Sequence, residues 1–164
     1  MSTELPRTFK VVTVWLVLGA LVFIGIQWGL REQQRTRFQI DGDVIEIRRG
    51  SDGHYHWPGS INGHAVDFLI DTGATGTAIS ARLARELQLE STGAVQSSTA
   101  GGLVTGQLMR ADVALQGGVR AERLQIVALP QLSDRPLLGM DILGRLALQQ
   151  RDGVMRIDLR PARS

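Results

Sequence analysis

The segment FLIDTGATGTAIS, residues 68–80, limits the possible folds more than any other part of the chain. Residues 68–70 are all apolar and typical of a buried strand, but the run stops at the acidic Asp71 and passes directly into threonine and glycine. A charge beside a hydrophobic core is costly unless specific partners stabilise it. The segment therefore predicts either a turn at the end of a strand or an acidic side chain with a chemical role.

A second feature lies near the N terminus, where residues 11–30 carry no charge. A helix of this length spans about 30 Å, the thickness of the hydrocarbon core of a bilayer. Trp15 and Trp28 lie towards its two ends, where amphipathic rings favour the membrane interface. We interpret residues 11–30 as an uncleaved transmembrane anchor that follows a short N-terminal tail, residues 1–10.

Two other interpretations of this apolar segment are weaker. A cleaved signal peptide would have a shorter apolar core and a cleavage site between small residues, and the sequence GIQWGLREQQRT offers no convincing one. A buried core helix without a polar face would be unusual in so small a protein. Basic residues flank the segment on both sides, so the positive-inside rule does not predict its orientation.

The remaining chain is predicted to be a polar juxtamembrane linker, residues 31–43, followed by one domain, residues 44–164. Apolar and polar residues mostly alternate in this domain, which is typical of half-buried strands. Three residue pairs favour tight turns between strands: Asn62-Gly63, Gly117-Gly118 and Asp152-Gly153. Two short helices are expected, one after the potential N-cap Ser80 and a weaker one at residues 140–147. The pattern predicts a compact, mostly β domain.

Composition excludes several classes of protein. The chain has no cysteine, so disulfides, thiol catalysis and zinc–thiolate sites are ruled out. Residues 38–164 contain thirteen arginines and fourteen acidic residues, a balance that does not indicate binding to nucleic acid. Neither G-x-S-x-G nor G-x-x-x-x-G-K-[ST] occurs, so serine hydrolases and nucleotide-binding P-loops have no support. We expect no nucleic-acid partner and no cofactor.

His54 and His56 raise the question of a metal site, because residues two apart on a strand face the same way. No third ligand lies nearby in the sequence. Surface histidines of a strand are therefore the favoured interpretation, and we expect no metal.

The sequences GHYHWPGSINGHAVDFLIDTGAT and LLGMDIL together resemble the retropepsin-like aspartic proteases, and the resemblance covers nearly all of residues 53–160. The similarity is greatest to the single-span, membrane-anchored bacterial branch of that group. It implies an all-β protomer, half of a pepsin-type fold, with one or two short helices behind an N-terminal transmembrane helix. It also implies a bacterial inner-membrane location with the catalytic domain on the periplasmic side.

The resemblance assigns a role to each residue of the Asp-Thr-Gly motif. Asp71 is the expected catalytic carboxylate, and Gly73 lacks a side chain, so its backbone N–H can approach that carboxylate. Thr72 is expected to support the active-site loop by tying two loops together through its hydroxyl. Residues 97–106 occupy the place of the flap over the substrate, and the Leu-Leu-Gly element at 137–139 is expected to pack beneath the catalytic loop.

Hydrolysis by this route needs two carboxylates that share one proton, one as base and one as acid. The chain has no second D-[ST]-G, since SDG at 51–53 and RDG at 151–153 lack the middle hydroxyl residue. The resemblance and the single motif thus predict a homodimer with Asp71 of both copies on its two-fold axis, acting as an endopeptidase on peptide or protein substrates. Two alternatives stay open: Asp71 as a turn residue at a strand end, or an inactive dimerisation or peptide-binding module of the same fold.

Overall fold

A computed structural model describes residues 7–33, 37–40, 44–99 and 102–159 of the chain. The chain divides into two units, Met1–Arg35 and Thr36–Ser164, which we describe separately. Residues 1–6 of the predicted tail, 1–10, and parts of the predicted linker, residues 34–36 and 41–43, lie outside the described residues.

The first unit contains one helix, α1, Arg7–Gln33, which includes the whole predicted anchor. Large apolar side chains between residues 15 and 26 are exposed: Trp15, Leu16, Val17, Leu18, Leu21, Val22, Phe23, Ile24 and Ile26. Over the described residues, no helix meets the length and hydropathy required to cross a membrane. The transmembrane anchor at 11–30 therefore stays a prediction from the sequence.

The second unit is mostly β-structure, as the alternating pattern predicted. Its strands are β1 Arg37–Ile40, β2 Val44–Arg48, β3 His56–Ile61, β4 His64–Ile70, β5 Ala78–Ser80, β6 Ser91–Thr99, β7 Gly102–Leu115, β8 Val119–Leu129, β9 Leu137–Leu138, β10 Ala147–Arg151 and β11 Val154–Asp158. Two short helices accompany them, α2 Ala81–Glu86 and α3 Met140–Leu143.

The strands form two sheets. The larger has the order β1-β8-β5-β9-β4-β3-β7-β6, with an additional pairing of β7 and β8 that partly closes it on itself. The smaller has the order β10-β11-β2. Apolar side chains from both sheets and both helices fill one core, in which Trp57, Phe68 and Ile126 are almost fully buried. The core fixes the ends of β4 and β9, and these ends carry the candidate site.

The predicted turns lie where the sequence placed them. Asn62 and Gly63 join β3 to β4 with φ values of 48° and 83°, a left-handed pair that only such residues adopt readily. The turns at 117–118 and 152–153 join β7 to β8 and β10 to β11. These positions set the register of each hairpin and hence which side chains face the core.

Both helices are shorter than their sequence patterns suggested. Ser80 caps α2 as predicted, since its Oγ accepts a hydrogen bond from Leu83 N at 3.0 Å. The helix ends at Glu86, and Gln88 then adopts a positive φ of 53°. The second helix ends at Leu143 because Gly144 follows, and Ala147 already belongs to β10.

Part of the predicted linker is a strand. β1, Arg37–Ile40, pairs antiparallel with residues 119–122 of β8. Four residues are too few for a reliable periodic pattern, and the free edge of β8 provides the hydrogen-bonding partners that the sequence alone does not reveal.

Candidate active site

Asp71 directly follows the last residue of β4, and backbone hydrogen bonds fix its position. Its N–H donates to Leu138 O at 3.0 Å, and its own carbonyl accepts from Ala74 N at 3.2 Å. Gly73 donates its N–H to Asp71 Oδ1 at 2.8 Å, so one carboxylate oxygen is fixed by a tight turn. The side chain is half-buried and opens towards a cavity. Thr72 is exposed, and its role in tying two loops together stays a prediction.

The Leu-Leu-Gly element supports this loop from the neighbouring strand. β9 runs parallel to β4, with Leu137 beside Leu69 and Leu138 beside Ile70. The next residue, Gly139, packs so closely on Gly76 that an added Cβ would lie 2.3–2.8 Å from its backbone atoms. No side chain fits there, so a glycine after β9 lets the backbone reach the loop.

Thr77 and Asp141 connect the loop to α3 in a network that the sequence analysis missed. Thr77 is fully buried. Its N–H and its hydroxyl both donate to the Asp141 carboxylate, each at 2.9 Å, and its Oγ1 accepts from Gly139 N at 3.3 Å. The sequence did contain a hint of this network. Asp141 directly follows the residues LLGM, and an acidic residue at this position is typical of the first turn of a helix. Both carboxylate oxygens of Asp141 therefore accept hydrogen bonds that stabilise the loop after Asp71.

A cavity of about 830 Å³ opens beside Asp71. The hairpin of β6 and β7 forms one wall, and the paired Thr99 and Gly102 lie at its described end. Residues 100 and 101 of the predicted flap lie outside the described residues. The apolar lining is Ala74, Ala78, Val95, Val104, Val127, Leu129, Leu132 and Leu137. Among the lining residues that the structure describes, Asp71 is the one carboxylate.

The Asp-Gly sequences at 52–53 and 152–153 lie elsewhere, and a third, at 41–42, lies outside the described residues. Asp152 occupies the β10–β11 turn with its side chain 88% exposed. Asp52 lies in the loop before β3, where a hydrogen bond from His54 N, with further contributions from His56 and Arg135, lowers its pKa from 3.8 to about 2. Neither residue lines the cavity.

His54 and His56 do not form a metal site with their neighbours. His56 contacts two carboxylates, from Asp52 and Asp67, at 2.9 and 3.1 Å. His54 is exposed. Across the described ranges, no group of three or more His, Cys, Asp or Glu side chains is placed to hold a metal ion.

An Asp-Thr-Gly loop at a strand end, supported by a parallel Leu-Leu-Gly strand and walled by a β-hairpin, defines the protomer of an aspartic protease. Residues 57–145 match the family model of the gag-polyprotein putative aspartyl proteases. This match covers more than half of the chain, and the chain belongs to that family. No curated protein matches it.

Several solved structures are similar to the chain, including the following two. One is a retropepsin-like aspartic protease from Rickettsia conorii, with 19% identity and a TM-score of 0.55 over 76% of this chain and 95% of that chain. The other is the retroviral protease-like domain of Ddi1 from Leishmania major, with 14% identity and a TM-score of 0.42 over 73% and 99%. The predicted resemblance to retropepsin-like aspartic proteases and the predicted β-rich protomer with short helices are confirmed, and the membrane-anchored bacterial branch stays a prediction.

Proposed function

We propose that the protein is an aspartic endopeptidase that hydrolyses peptide bonds with a water activated by Asp71 from each of two copies of the chain. The main support for this proposal is the position of Asp71, which is half-buried, accepts a hydrogen bond from the Gly73 N–H and lines a cavity of about 830 Å³. Membership of the aspartyl protease family supports a peptidase reaction. The intact motif favours this function over an inactive binding module of the same fold.

The chemistry requires a second carboxylate. Two carboxylates within hydrogen-bonding distance cannot both ionise readily, so the pair holds one proton. The ionised group removes a proton from the attacking water, and the protonated group donates to the carbonyl oxygen. We expect activity to peak at acidic pH, where the pair carries one proton, and to fall on either side.

Asp141, which contacts the same loop through Thr77, is unsuited to this role because both its oxygens accept hydrogen bonds from Thr77. A partner copy of Asp71 satisfies the requirement in a two-fold dimer. The exposure of Thr72 beside Asp71 supports this assembly, since its hydroxyl is accessible to a second protomer.

The cavity also indicates the substrate. Apolar side chains dominate its walls, and no described lining residue other than Asp71 carries a charge. Burial of a charged substrate side chain against such walls would be costly. We therefore expect cleavage between uncharged, largely apolar residues of a peptide or protein.

The direct test is Asp71→Asn in the full chain. Asparagine is nearly isosteric and neutral, so it removes the base without creating a cavity. We expect about a thousandfold loss of kcat/KM on a mixed peptide library, with thermal unfolding unchanged or slightly raised. Asp152→Asn is the matched control, because it makes the same substitution at an 88% exposed turn. Full cleavage by folded Asp71→Asn protein, or loss of activity in both variants, would contradict the assignment.

We also propose that residues 11–30 anchor the chain in a bacterial inner membrane with the protease domain in the periplasm. The uncharged sequence and the exposed apolar side chains of α1 support an apolar environment for this segment. Expression in bacteria, followed by alkaline carbonate extraction and protease treatment of spheroplasts, tests both parts. We expect retention in the membrane and digestion of the domain in intact spheroplasts. Release by carbonate, or protection until the membrane is permeabilised, would contradict it.

A further inference from the structure

The segment between β8 and β9, residues 130–136, forms part of the cavity wall without any regular structure of its own. We call it the wall loop. Gln131 and Leu132 line the cavity, and Pro136 O accepts a hydrogen bond from Leu69 N at 2.8 Å. The position of the wall loop therefore affects the width of the cavity and the strand that leads to Asp71.

Two ion pairs at adjacent residues attach the wall loop to different parts of the protein. Asp134 accepts from Arg82 of α2, with Nη2 at 2.6 Å and Nε at 2.9 Å. Arg135 donates through Nη1 to Asp52 Oδ2 at 2.9 Å, which ties the loop to the segment before β3. Both arginines are more than half exposed. Exposed ion pairs are individually weak, so a modest change in charge can alter the attachment.

His56 lies directly beside the second ion pair. Its Nε2 is 2.9 Å from the same Asp52 Oδ2 that Arg135 contacts, and 3.4 Å from Arg135 Nη1. Its Nδ1 is 3.1 Å from Asp67 Oδ2 of β4, an ion-pair distance without the direction of a hydrogen bond. Glu46 of β2 lines a second cavity together with His56. Among the described residues, the charged groups within 3.4 Å of the His56 ring nitrogens are thus those of Asp52, Asp67 and Arg135, and Glu46 lines the adjoining cavity.

The charge on His56 changes the electrostatic environment of the ion pair between Arg135 and Asp52. A neutral imidazole with its proton on Nε2 donates to Asp52 Oδ2 at 2.9 Å, the same oxygen that accepts from Arg135. An imidazolium keeps this N–H, gains a second one at Nδ1 on the side of Asp67, and places a positive charge next to the guanidinium. Like charges at this distance repel, so protonation of His56 weakens the hold of Arg135 on Asp52. It also adds a cation between two carboxylates, so the fold as a whole need not lose stability.

We propose that Asp52, His56 and Arg135 form a latch that positions the wall loop, and that protonation of His56 releases it. This proposal rests on the proposed protease function and assigns positioning roles within the same site. Acidic conditions favour the singly protonated pair of catalytic carboxylates. Under those same conditions the latch loosens one wall of the cavity, which eases the entry of a substrate.

Hydrogen–deuterium exchange of the full chain tests the latch without any need for activity. The readout is the protection of peptides spanning residues 130–138 at about pH 8 and about pH 5, a range in which histidines generally titrate, after correction for intrinsic exchange. In wild type we expect protection to be about threefold to fivefold lower at the acidic pH, the effect expected of one exposed ion pair.

Three variants distinguish the latch from general loosening. His56→Gln and Arg135→Gln should each bring the ratio of protection at the two pH values close to one. Arg82→Gln is the matched control, because it breaks the other ion pair and should lower protection at both pH values while the ratio stays as in wild type. The proposal is overturned if His56→Gln keeps the wild-type ratio, if wild type shows no pH dependence, or if Arg82→Gln abolishes it.

Peptide cleavage provides the functional readout. At acidic pH, His56→Gln should raise KM about threefold with kcat within about twofold of wild type, because the loop stays attached. An unchanged KM would overturn the link between the latch and substrate entry. If wild type cleaves no peptide at any pH, the proposed protease function fails, and the exchange ratios still decide whether the latch exists.

Discussion

Asp52, Asp71 and Asp152 each lie one or two residues before a glycine, and their surroundings give each a different role. Asp71 follows a buried strand and faces a cavity, Asp52 joins an ion-pair cluster, and Asp152 is exposed in a turn. In the sequence, Asp71 differs from the other two because apolar residues 68–70 precede it and Thr-Gly follows it. It could not show the role of Asp52, because its partner Arg135 lies 83 positions away.

Asp52 gives a prediction for stability as a function of pH. Its pKa is lowered to about 2, mainly by the hydrogen bond from His54 N, so its contribution to stability is complete above its ordinary pKa and is lost as the pH falls towards 2. Asp52→Asn should therefore unfold at lower denaturant concentration than wild type near neutral pH. The difference should shrink between about pH 4 and about pH 2.

Urea unfolding of the full chain, measured across that pH range, checks this expectation. Asp152→Asn serves as the control, since the Asp152 side chain is 88% exposed and pairs with the similarly exposed Arg151. A difference between wild type and Asp52→Asn that does not change with pH would show that the ionised carboxylate is not the stabilising form.

At the scale of elements, the β6–β7 hairpin shows how far a pattern can be read. The alternation of residues 109–115 predicted the inner part of β7, and the family resemblance placed the flap at 97–106. β7 pairs with β8 from Gln107 to Leu115. Residues 102–106 of β7, towards the tip of the hairpin, pair with β6 alone. β9 has only two residues, too few for a periodic pattern. Its place between β4 and β5 depends on long-range pairing, which the sequence does not reveal.

Gly106 lies where the hairpin leaves the sheet, and an added Cβ would lie 2.7 Å from Val127 Cγ1 and 2.9 Å from Leu129 Cδ2. Both neighbours line the cavity. We expect Gly106→Ala to lower the free energy of unfolding by about 1–3 kcal/mol and to reduce kcat/KM, because the crowding displaces the hairpin or the cavity wall.

Gly93→Ala is the matched control on the same hairpin, because its nearest neighbour would be 3.9 Å from the added Cβ. Its free energy of unfolding should change by less than about 1 kcal/mol. Urea unfolding and peptide cleavage of the two variants, measured side by side, give the comparison. Equal stability and activity in both would show that the hairpin base tolerates a side chain.

For the whole molecule, the sequence predicted a single β-rich protease protomer because its Asp-Thr-Gly loop, its Leu-Leu-Gly element and its turn pairs all favour the same fold. The supporting contacts could not be predicted in the same way. Thr77 and Asp141 lie 64 positions apart, and Arg135 and Asp52 lie 83 apart, so only the folded chain brings them together. The proposed active site extends this argument to a second chain, since one protomer supplies only one catalytic carboxylate.

The most direct test of that central claim is a mixing experiment. Wild-type chain and Asp71→Asn chain are combined in equal amounts in denaturant, refolded together and assayed for peptide cleavage, with Asp152→Asn in place of Asp71→Asn as the control. If each active site needs Asp71 from two chains, random pairing leaves about one quarter of the activity of the same total amount of wild type, and the control mixture retains all of it. Retention of about one half would contradict the account, because it would mean that each chain carries a complete active site of its own.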